Sequence, residues 1–197
     1  MGARTMRLVD THPMAAVPDG LRHGEYPLSQ FLRAERGFLL PGEEGEVERF
    51  VRARPAADVV VEAQPAGIML FGREEMSLKG VVDRLAGFRW QHLVAEAPSV
   101  RYRSDPAQMP WMQVNVRAPR RYATLLKAEF HRRSGLSRGG EYFGETVMLS
   151  GIAPLAKLLG FPEWVAQRTD GKAVATERLA EWRLIDDEPD PPGPLAA

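Results

Sequence analysis

The chain has 197 residues, and its 26 Lys and Arg balance 26 Asp and Glu to a formal net charge of zero. A neutral chain predicts that any surface for a polyanion is a local patch rather than a property of the whole molecule. The absence of cysteine excludes disulfides, cysteine nucleophiles and cysteine-ligated metals, and is typical of a reducing compartment. No apolar run approaches the roughly 20 residues that span a bilayer, and no signal-peptide pattern is present. We therefore expect a cytoplasmic protein with no membrane partner.

The first third of the chain changes from irregular to regular patterning. Proline and glycine interrupt residues 1–35 every few positions, which predicts an irregular N-terminal extension, with one or two helical turns at residues 28–34. The following residues predict a short strand at 38–40, a helix that ends before Pro55, and a hairpin of strands 58–62 and 68–71. A stripe of apolar residues predicts a second helix, and a strand follows at 90–95. The stripe consists of Met76, Leu78, Val81, Val82 and Leu85.

The same order of elements recurs after a polar linker at residues 103–108. Alternation predicts a strand at 111–117, and an apolar stripe predicts a helix from Pro119 to about residue 134. Gly139 and Gly140 separate that helix from a strand at 146–150. A helix then begins at Pro154 and is interrupted by Gly160, and a last strand is expected near 179–184. The acidic, proline-rich residues 186–197 predict a disordered tail.

The first half thus reads strand, helix, strand, strand, helix, strand, and the second half is interpreted as a repeat of this order. This order predicts an α+β fold of two ferredoxin-like βαββαβ sandwich units in tandem, with antiparallel sheets and the helices on one face. The units are assigned to residues 36–103 and 110–185, between the N-terminal extension (1–35) and the disordered tail (186–197). The alternative is one α+β domain of about 150 residues.

Patterns that carry catalytic chemistry are missing from the sequence. There is no phosphate-binding loop, no dinucleotide-binding fingerprint and no nucleophile elbow. The four histidines, at positions 12, 23, 92 and 131, are scattered, and no pair has the helical spacing of metal ligands. We therefore predict no catalytic residues, no metal site, no cofactor and no nucleotide partner, and expect a protein that is not an enzyme.

One local concentration of charge stands out in the neutral chain. Residues 106–140 carry seven cations and one acid, a charge of +6. Guanidinium groups match phosphate oxygens in both charge and geometry, so this segment is a candidate RNA-binding surface. The same pattern is also typical of a solvated helix face that aids solubility or docks the acidic tail. Exposed aromatic residues for base stacking are not evident here. The candidate residues are Arg117, Arg120, Arg121, Lys127, His131, Arg132, Arg133 and Arg138.

Residues 70–103 resemble the third domain of elongation factor G. Residues 70–85 are similar to its motif G-M-G-E-L-H-L-E-x-x-x-D-R-L, and residues 98–103 (Pro-Ser-Val-Arg-Tyr-Arg) are similar to its exit motif P-x-V-x-Y-R. Glu74 and Ser77 stand where the motif has its second glycine and its histidine. The residues in register with the motif are Gly72, Glu75, Leu78, Asp83, Arg84 and Leu85.

The second half resembles the fifth domain of the same factor. Residues 110–116 and the segment Pro119-Arg120-Arg121-Tyr122 are similar to its first strand and its P-E-E-Y helix start. Residues 153–161 (Ala-Pro-Leu-Ala-Lys-Leu-Leu-Gly-Phe) are similar to V-P-L-A-E-M-F-G-Y. Residues 168–172 resemble the glycine-containing loop before the last strand, which adds Arg168 and Lys172 to the candidate RNA-binding residues.

The resemblance covers about residues 37–185, and the GTPase, second and fourth domains of the family have no counterpart in it. Such a chain is not expected to couple nucleotide hydrolysis to movement of tRNA. The resemblance instead implies a non-catalytic protein that binds the ribosome or ribosomal RNA near the translation-factor site. Two alternatives remain open: a protein-interaction module or homodimer on the same scaffold, and an enzyme whose site carries no familiar motif.

Overall fold

The computed structural model describes residues 25–53, 59–87, 90–104 and 106–185. Within them the chain is an α+β protein with two antiparallel sheets, which confirms the predicted class. The predicted disordered tail, and residues 1–24 of the predicted N-terminal extension, lie outside the described residues. The strands are β1 (Leu28–Ala34), β2 (Val59–Gln64), β3 (Gly67–Gly72), β4 (Leu93–Ala95), β5 (Ser99–Val100), β6 (Arg103–Ser104), β7 (Ala107–Pro119), β8 (Leu136–Phe143), β9 (Thr146–Pro154) and β10 (Val174–Leu184). The helices are α1 (Glu43–Arg52), α2 (Glu75–Ala86), α3 (Ala123–Arg132), α4 (Leu155–Leu158) and α5 (Phe161–Arg168).

The first sheet has the strand order β2-β3-β1-β4, and β5 also pairs with β1. Its two inner strands, β1 and β3, carry the most deeply buried residues, which include Leu28, Leu32, Ile68 and Leu70. Helix α2 packs through a stripe of buried residues at three- and four-residue spacing, Leu78, Val81 and Leu85, as amphipathic helices do. The predicted hairpin is confirmed as β2 and β3, which are paired from end to end.

The prediction for residues 28–40 is wrong in two places. Residues 28–34, predicted as helical turns, form β1, which pairs with β3 on one side and with β4 and β5 on the other. Backbone hydrogen bonds along both edges decide the conformation, and they outweigh the local propensity of the segment. Residues 38–40, predicted as a strand, are a loop in which the Leu40 N–H donates to Oε2 of Glu43, at the start of α1. The first sheet therefore begins inside the segment that was predicted as an extension.

The second sheet has the strand order β10-β7-β9-β8, and β6 also pairs with β7. Strand β8 was not predicted, because Gly139 and Gly140 indicated a break. They lie within the strand, next to a bulge between Ser137 and Gly139, and Gly139 has φ 118°, a value that glycine adopts readily. The predicted linker is also more ordered than expected, since Arg103 and Ser104 pair with Gln108 and Ala107.

Helices cover one face of the second sheet. Val114 and Val116 of β7 and Val147 and Leu149 of β9 are buried on this face, and α3, α4 and α5 contact the sheet. Gly160 separates α4 from α5 with φ 74°, as the sequence predicted. Most of the buried apolar residues of both sheets belong to one hydrophobic cluster. The two halves of the described chain therefore pack against each other.

Candidate nucleic-acid interface

The start of α3 lies beside the turn that joins β8 and β9. Strand β7 ends at Pro119, a 3-10 turn covers Arg120–Tyr122, and α3 begins at Ala123. The Arg120 N–H donates to the Glu145 carbonyl oxygen at 2.8 Å, which ties the 3-10 turn to the β8–β9 turn. No acidic residue lies in the first turn of α3, so the positive end of its helix dipole adds to the local positive charge.

Two cations converge on the ring of Tyr142, a β8 residue that is 48% exposed. The Arg120 guanidinium carbon lies 5.3 Å from the ring centroid, and Lys127 Nζ lies 5.7 Å from it. Lys127 Nζ also donates to the Tyr142 hydroxyl at 3.4 Å. Contacts of this kind hold a cation over an aromatic face without neutralising it. A Cβ on Gly140 would lie 3.5 Å from Lys127 Cε, so the lysine stem packs closely over this glycine.

A third cation, Arg121, lies on the neighbouring Tyr122. Its guanidinium carbon is 4.8 Å from the ring centroid, and its Nη2 donates to the Tyr122 hydroxyl at 3.1 Å. Arg120, Arg121 and Lys127 are exposed, and none of them forms an ion pair with a described residue. We call these three cations, together with Tyr122 and Tyr142, the basic-aromatic patch.

Two of the predicted arginines are instead bound to a carboxylate. Arg132 donates two hydrogen bonds to Glu129, at 2.6 and 2.7 Å, and Arg133 donates to Glu129 Oε1 at 2.7 Å. These guanidinium groups hold the pKa of the Glu129 carboxyl at about 2, against the opposing effect of its burial. Arg133 also donates to the Lys157 and Leu159 carbonyl oxygens, at 3.0 and 2.9 Å. It therefore joins α3 to α4 as a structural residue.

The other candidates lie at several different places in the second half of the chain. Residues 127 and 131 are one helical turn apart on α3, so Lys127 and the exposed His131 share a face. Arg117 is exposed on the sheet face opposite to Val116, where it pairs with Met148 and Val174. Arg138 lies at the bulge of β8. Arg168 ends α5, and Lys172 lies just before β10, at the same end of the sheet as Pro119.

The aromatic residues of this surface are not among the residues predicted from the sequence. Tyr142 and Phe143 lie in β8, the strand that the glycines concealed, and Phe143 is 61% exposed. A usable signal is present in the sequence, because Glu141-Tyr142-Phe143 precedes Gly144 and Glu145 and the apolar run of β9, a hairpin pattern. The expectation that exposed aromatics are absent near the cations is wrong, since Tyr142 contacts two of them.

Among the described residues, no cluster of three or more His, Cys, Asp or Glu side chains is placed to hold a metal ion. None of the described helices is long and apolar enough to cross a membrane.

Comparison with known proteins gives one partial similarity. No protein-family model matches the chain. A segment of 79 residues is 28% identical to elongation factor 2 of Methanopyrus kandleri. The alignment covers 40% of this chain and 6% of the length of that protein. The chain therefore has a weak, partial resemblance to an elongation factor.

Proposed function

We propose that this protein binds RNA without catalysis, that the RNA is ribosomal, and that the basic-aromatic patch is the contact surface. One observation carries the proposal. Arg120, Arg121 and Lys127 lie against two tyrosine rings at the start of α3, and no described carboxylate neutralises them. Cations of this kind bind phosphate oxygens, and the aromatic contacts fix their positions before RNA arrives. Preorganised side chains lose less conformational entropy on binding.

The scaffold and the sequence resemblance support a ribosomal partner. Each sheet has the spatial order fourth, first, third, second strand when the short β5 and β6 are set aside, as in ferredoxin-like units. We propose that the two units correspond to the third and fifth domains of elongation factor G, since the quoted motifs fall in these halves. The partial similarity to elongation factor 2 supports the same assignment. The binding site would then be the region where translation factors dock.

Co-sedimentation with ribosomes at about 0.1 M salt tests the proposal. The chain should co-migrate, and binding should weaken steeply as salt rises, because cations that bind phosphates release counterions. A variant that combines Arg120→Ala, Arg121→Ala and Lys127→Ala should lose most of the binding and reduce the slope of log K against log salt by roughly two to three.

A matched variant removes the same charge elsewhere. Arg36, Arg49 and Lys79 are exposed cations of the first half, and their combined replacement by alanine should leave sedimentation unchanged. If both triple variants bind as the parent does, or if the parent stays at the top of the gradient, ribosome binding through the patch is wrong.

A protein-interaction module is the alternative that one observation favours. Phe38 and Leu40 lie in the loop before α1 and are 55% and 42% exposed, and exposed apolar groups of this kind occur at protein contacts. Affinity capture from lysate separates the two functions. A partner that persists after RNase treatment and is lost in a Phe38→Ala, Leu40→Ala variant supports the alternative, and a partner that RNase removes supports RNA binding.

A further inference from the structure

The tip of the β8–β9 hairpin presents an aromatic ring on a fixed support. Phe143 is the last residue of β8, it pairs with Thr146, and only Gly144 and Glu145 separate the two strands. Gly144 has φ 57°, which the tight turn requires and glycine supplies. The hydrogen bond from the Arg120 N–H to the Glu145 carbonyl oxygen anchors the turn to the basic-aromatic patch. Phe143 therefore has a defined position relative to Arg120.

Tyr142 and Phe143 project to opposite faces of the hairpin, because consecutive strand residues alternate. Tyr142 pairs with the buried Val147, so it lies on the face that α3 covers, where Arg120 and Lys127 contact its ring. Phe143 lies on the opposite face of the sheet, in one row with Thr146 and Pro119. The tip thus carries the cations of the patch on one side and the exposed Phe143 ring on the other.

The acidic residues of the hairpin limit where a phosphate backbone can pass. Glu141 and Glu145 are both exposed. Glu141 pairs with Met148, which places it on the face of Phe143, away from Lys127. Arg117 is an exposed cation on the same face, but it shares a row with Glu141 through Met148. Because like charges repel, Glu141 and Glu145 disfavour a phosphate backbone beside Phe143, and the cations of the basic-aromatic patch favour it on the α3 side of the tip.

We propose that Phe143 stacks on an unpaired base, and that the RNA bound by the patch has an unpaired nucleotide beside its contacted backbone. This inference rests on the proposed function. A base in a continuous duplex is already stacked between its neighbours, whereas a base in a bulge or loop offers its face to an aromatic side chain. Stacking on an aromatic ring also tolerates any base, so the contact selects RNA shape rather than sequence.

Binding of two synthetic RNA hairpins tests the inference, one with a continuous stem and one with a single bulged nucleotide. Affinity is measured by fluorescence anisotropy at about 0.1 M salt. Phe143→Ala should weaken binding of the bulged RNA about tenfold and change binding of the continuous stem less than about twofold. A 2-aminopurine at the bulge reports stacking directly, since its fluorescence should fall with the parent and not with Phe143→Ala.

Phe38→Ala is the matched control, because Phe38 is an aromatic of similar exposure, 55% against 61%, in the other half of the chain. It should bind both RNAs as the parent does. If Phe143→Ala weakens both RNAs equally, or neither, the stacking role is wrong while RNA binding stands. If the parent binds neither RNA and no ribosomes, the proposed function itself is wrong.

Discussion

The backbone N–H of Gly160 donates a hydrogen bond to Oε2 of Glu75 at 2.7 Å, across 85 positions of sequence. Glu75 is the first residue of α2 in the first half, and Gly160 lies between α4 and α5 in the second. The φ of 74° at Gly160 disfavours any residue with a Cβ at this position. The carboxylate thus satisfies a backbone donor that the helix break exposes, and it fixes the two halves to each other.

We predict that Glu75→Ala loosens this junction while Glu75→Gln preserves much of it, because the amide oxygen of glutamine still accepts the hydrogen bond. Loss of a part-buried hydrogen bond to a charged group costs about 1–3 kcal/mol in the free energy of unfolding. Hydrogen exchange is the direct measurement. The Gly160 amide should exchange faster in the alanine variant and nearly as slowly as the parent in the glutamine variant. Equal protection in all three proteins would contradict the contact.

A second carboxylate of the junction, Glu177, is almost completely buried. It is 4% exposed on β10, opposite Val114, and its Oε1 accepts no hydrogen bond from the described residues. Burial, and to a smaller extent the carboxylates of Glu75 and Glu74, together raise the pKa of Glu177 to about 8 against the lowering effect of Arg133. The side chain is therefore mostly protonated at neutral pH.

We predict that Glu177 makes stability fall as pH rises. The folded state holds the proton up to about pH 8, whereas the unfolded chain releases it near 4.5, so the folding free energy weakens through this window and levels off above it. Glu177→Gln should flatten the profile and unfold at higher urea than the parent at pH 9. Urea titrations at pH 5, 7 and 9 measure this. If stability depends on pH in the glutamine variant as it does in the parent, a group other than Glu177 causes that dependence.

The elements that the sequence predicted well have strong periodicity. The β2–β3 hairpin, α2 and the interruption at Gly160 follow from local patterns of apolar residues and glycine. Strands β1 and β8 were missed for a different reason. Strand β1 is held by partners on both sides, and β8 contains two glycines that are compatible with its bulge. Long-range pairing leaves no local signature, so local propensity misled the prediction at β1. At β8 the two glycines of the bulge obscured the hairpin pattern that ends at Gly144.

The sequence shows the charge of the candidate site, but it shows only part of how the charged side chains are arranged. The pairing of Glu129 with Arg132 and Arg133 follows the three- and four-residue spacing of a helix and was open to prediction. The contact of Arg120 and Lys127 with Tyr142 spans 22 and 15 positions and depends on the unpredicted β8. The sequence therefore locates the basic segment and its helical ion pairs, and the fold adds the contacts of Arg120 and Lys127 with Tyr142.

We predict that Glu129 stabilises the fold and that the benefit is lost in acid. Its side chain is 8% exposed, and that of Arg133 is 14% exposed. Because the folded pKa is depressed from 4.5 to about 2, the contribution is complete above about pH 5 and is lost as pH falls towards 2. Glu129→Gln should lower the free energy of unfolding at pH 7 by about 3 kcal/mol, since Arg133 keeps a charge without its partner. The free energies of unfolding measured in urea at pH 7 and at pH 3 should differ less in the variant than in the parent.

Two arginine variants separate the contributions that Arg132 and Arg133 make to the free energy of unfolding. Arg133→Ala should destabilise by about 2 kcal/mol, because it also removes the hydrogen bonds to the Lys157 and Leu159 carbonyl oxygens. Arg132→Ala should cost clearly less, because the Arg132 side chain is 68% exposed and solvent screens its ion pair. Thermal unfolding at pH 7 ranks them, and equal losses would contradict the structural role of Arg133.

Two glycines at α2 give opposite predictions for the same substitution. Gly72 ends β3, and a Cβ there would lie 2.6 Å from Cγ of Leu78, a fully buried side chain. Gly72→Ala should therefore destabilise by about 1–3 kcal/mol, the cost of overpacking a core. Gly80 lies inside α2 with open space where a Cβ would be, and Gly80→Ala should stabilise by about 0.5–1 kcal/mol because alanine favours helix.

Thermal unfolding distinguishes these outcomes, since 1 kcal/mol shifts the Tm of a chain of this size by about 2–4 °C. Gly72 and Leu78 are both in register with the motif of elongation factor G, and their close packing is a physical reason for that pairing of residues. If Gly72→Ala left the Tm as high as Gly80→Ala does, close packing against Leu78 would not explain why glycine is present at position 72. The place of this glycine in the motif would then need a reason other than packing.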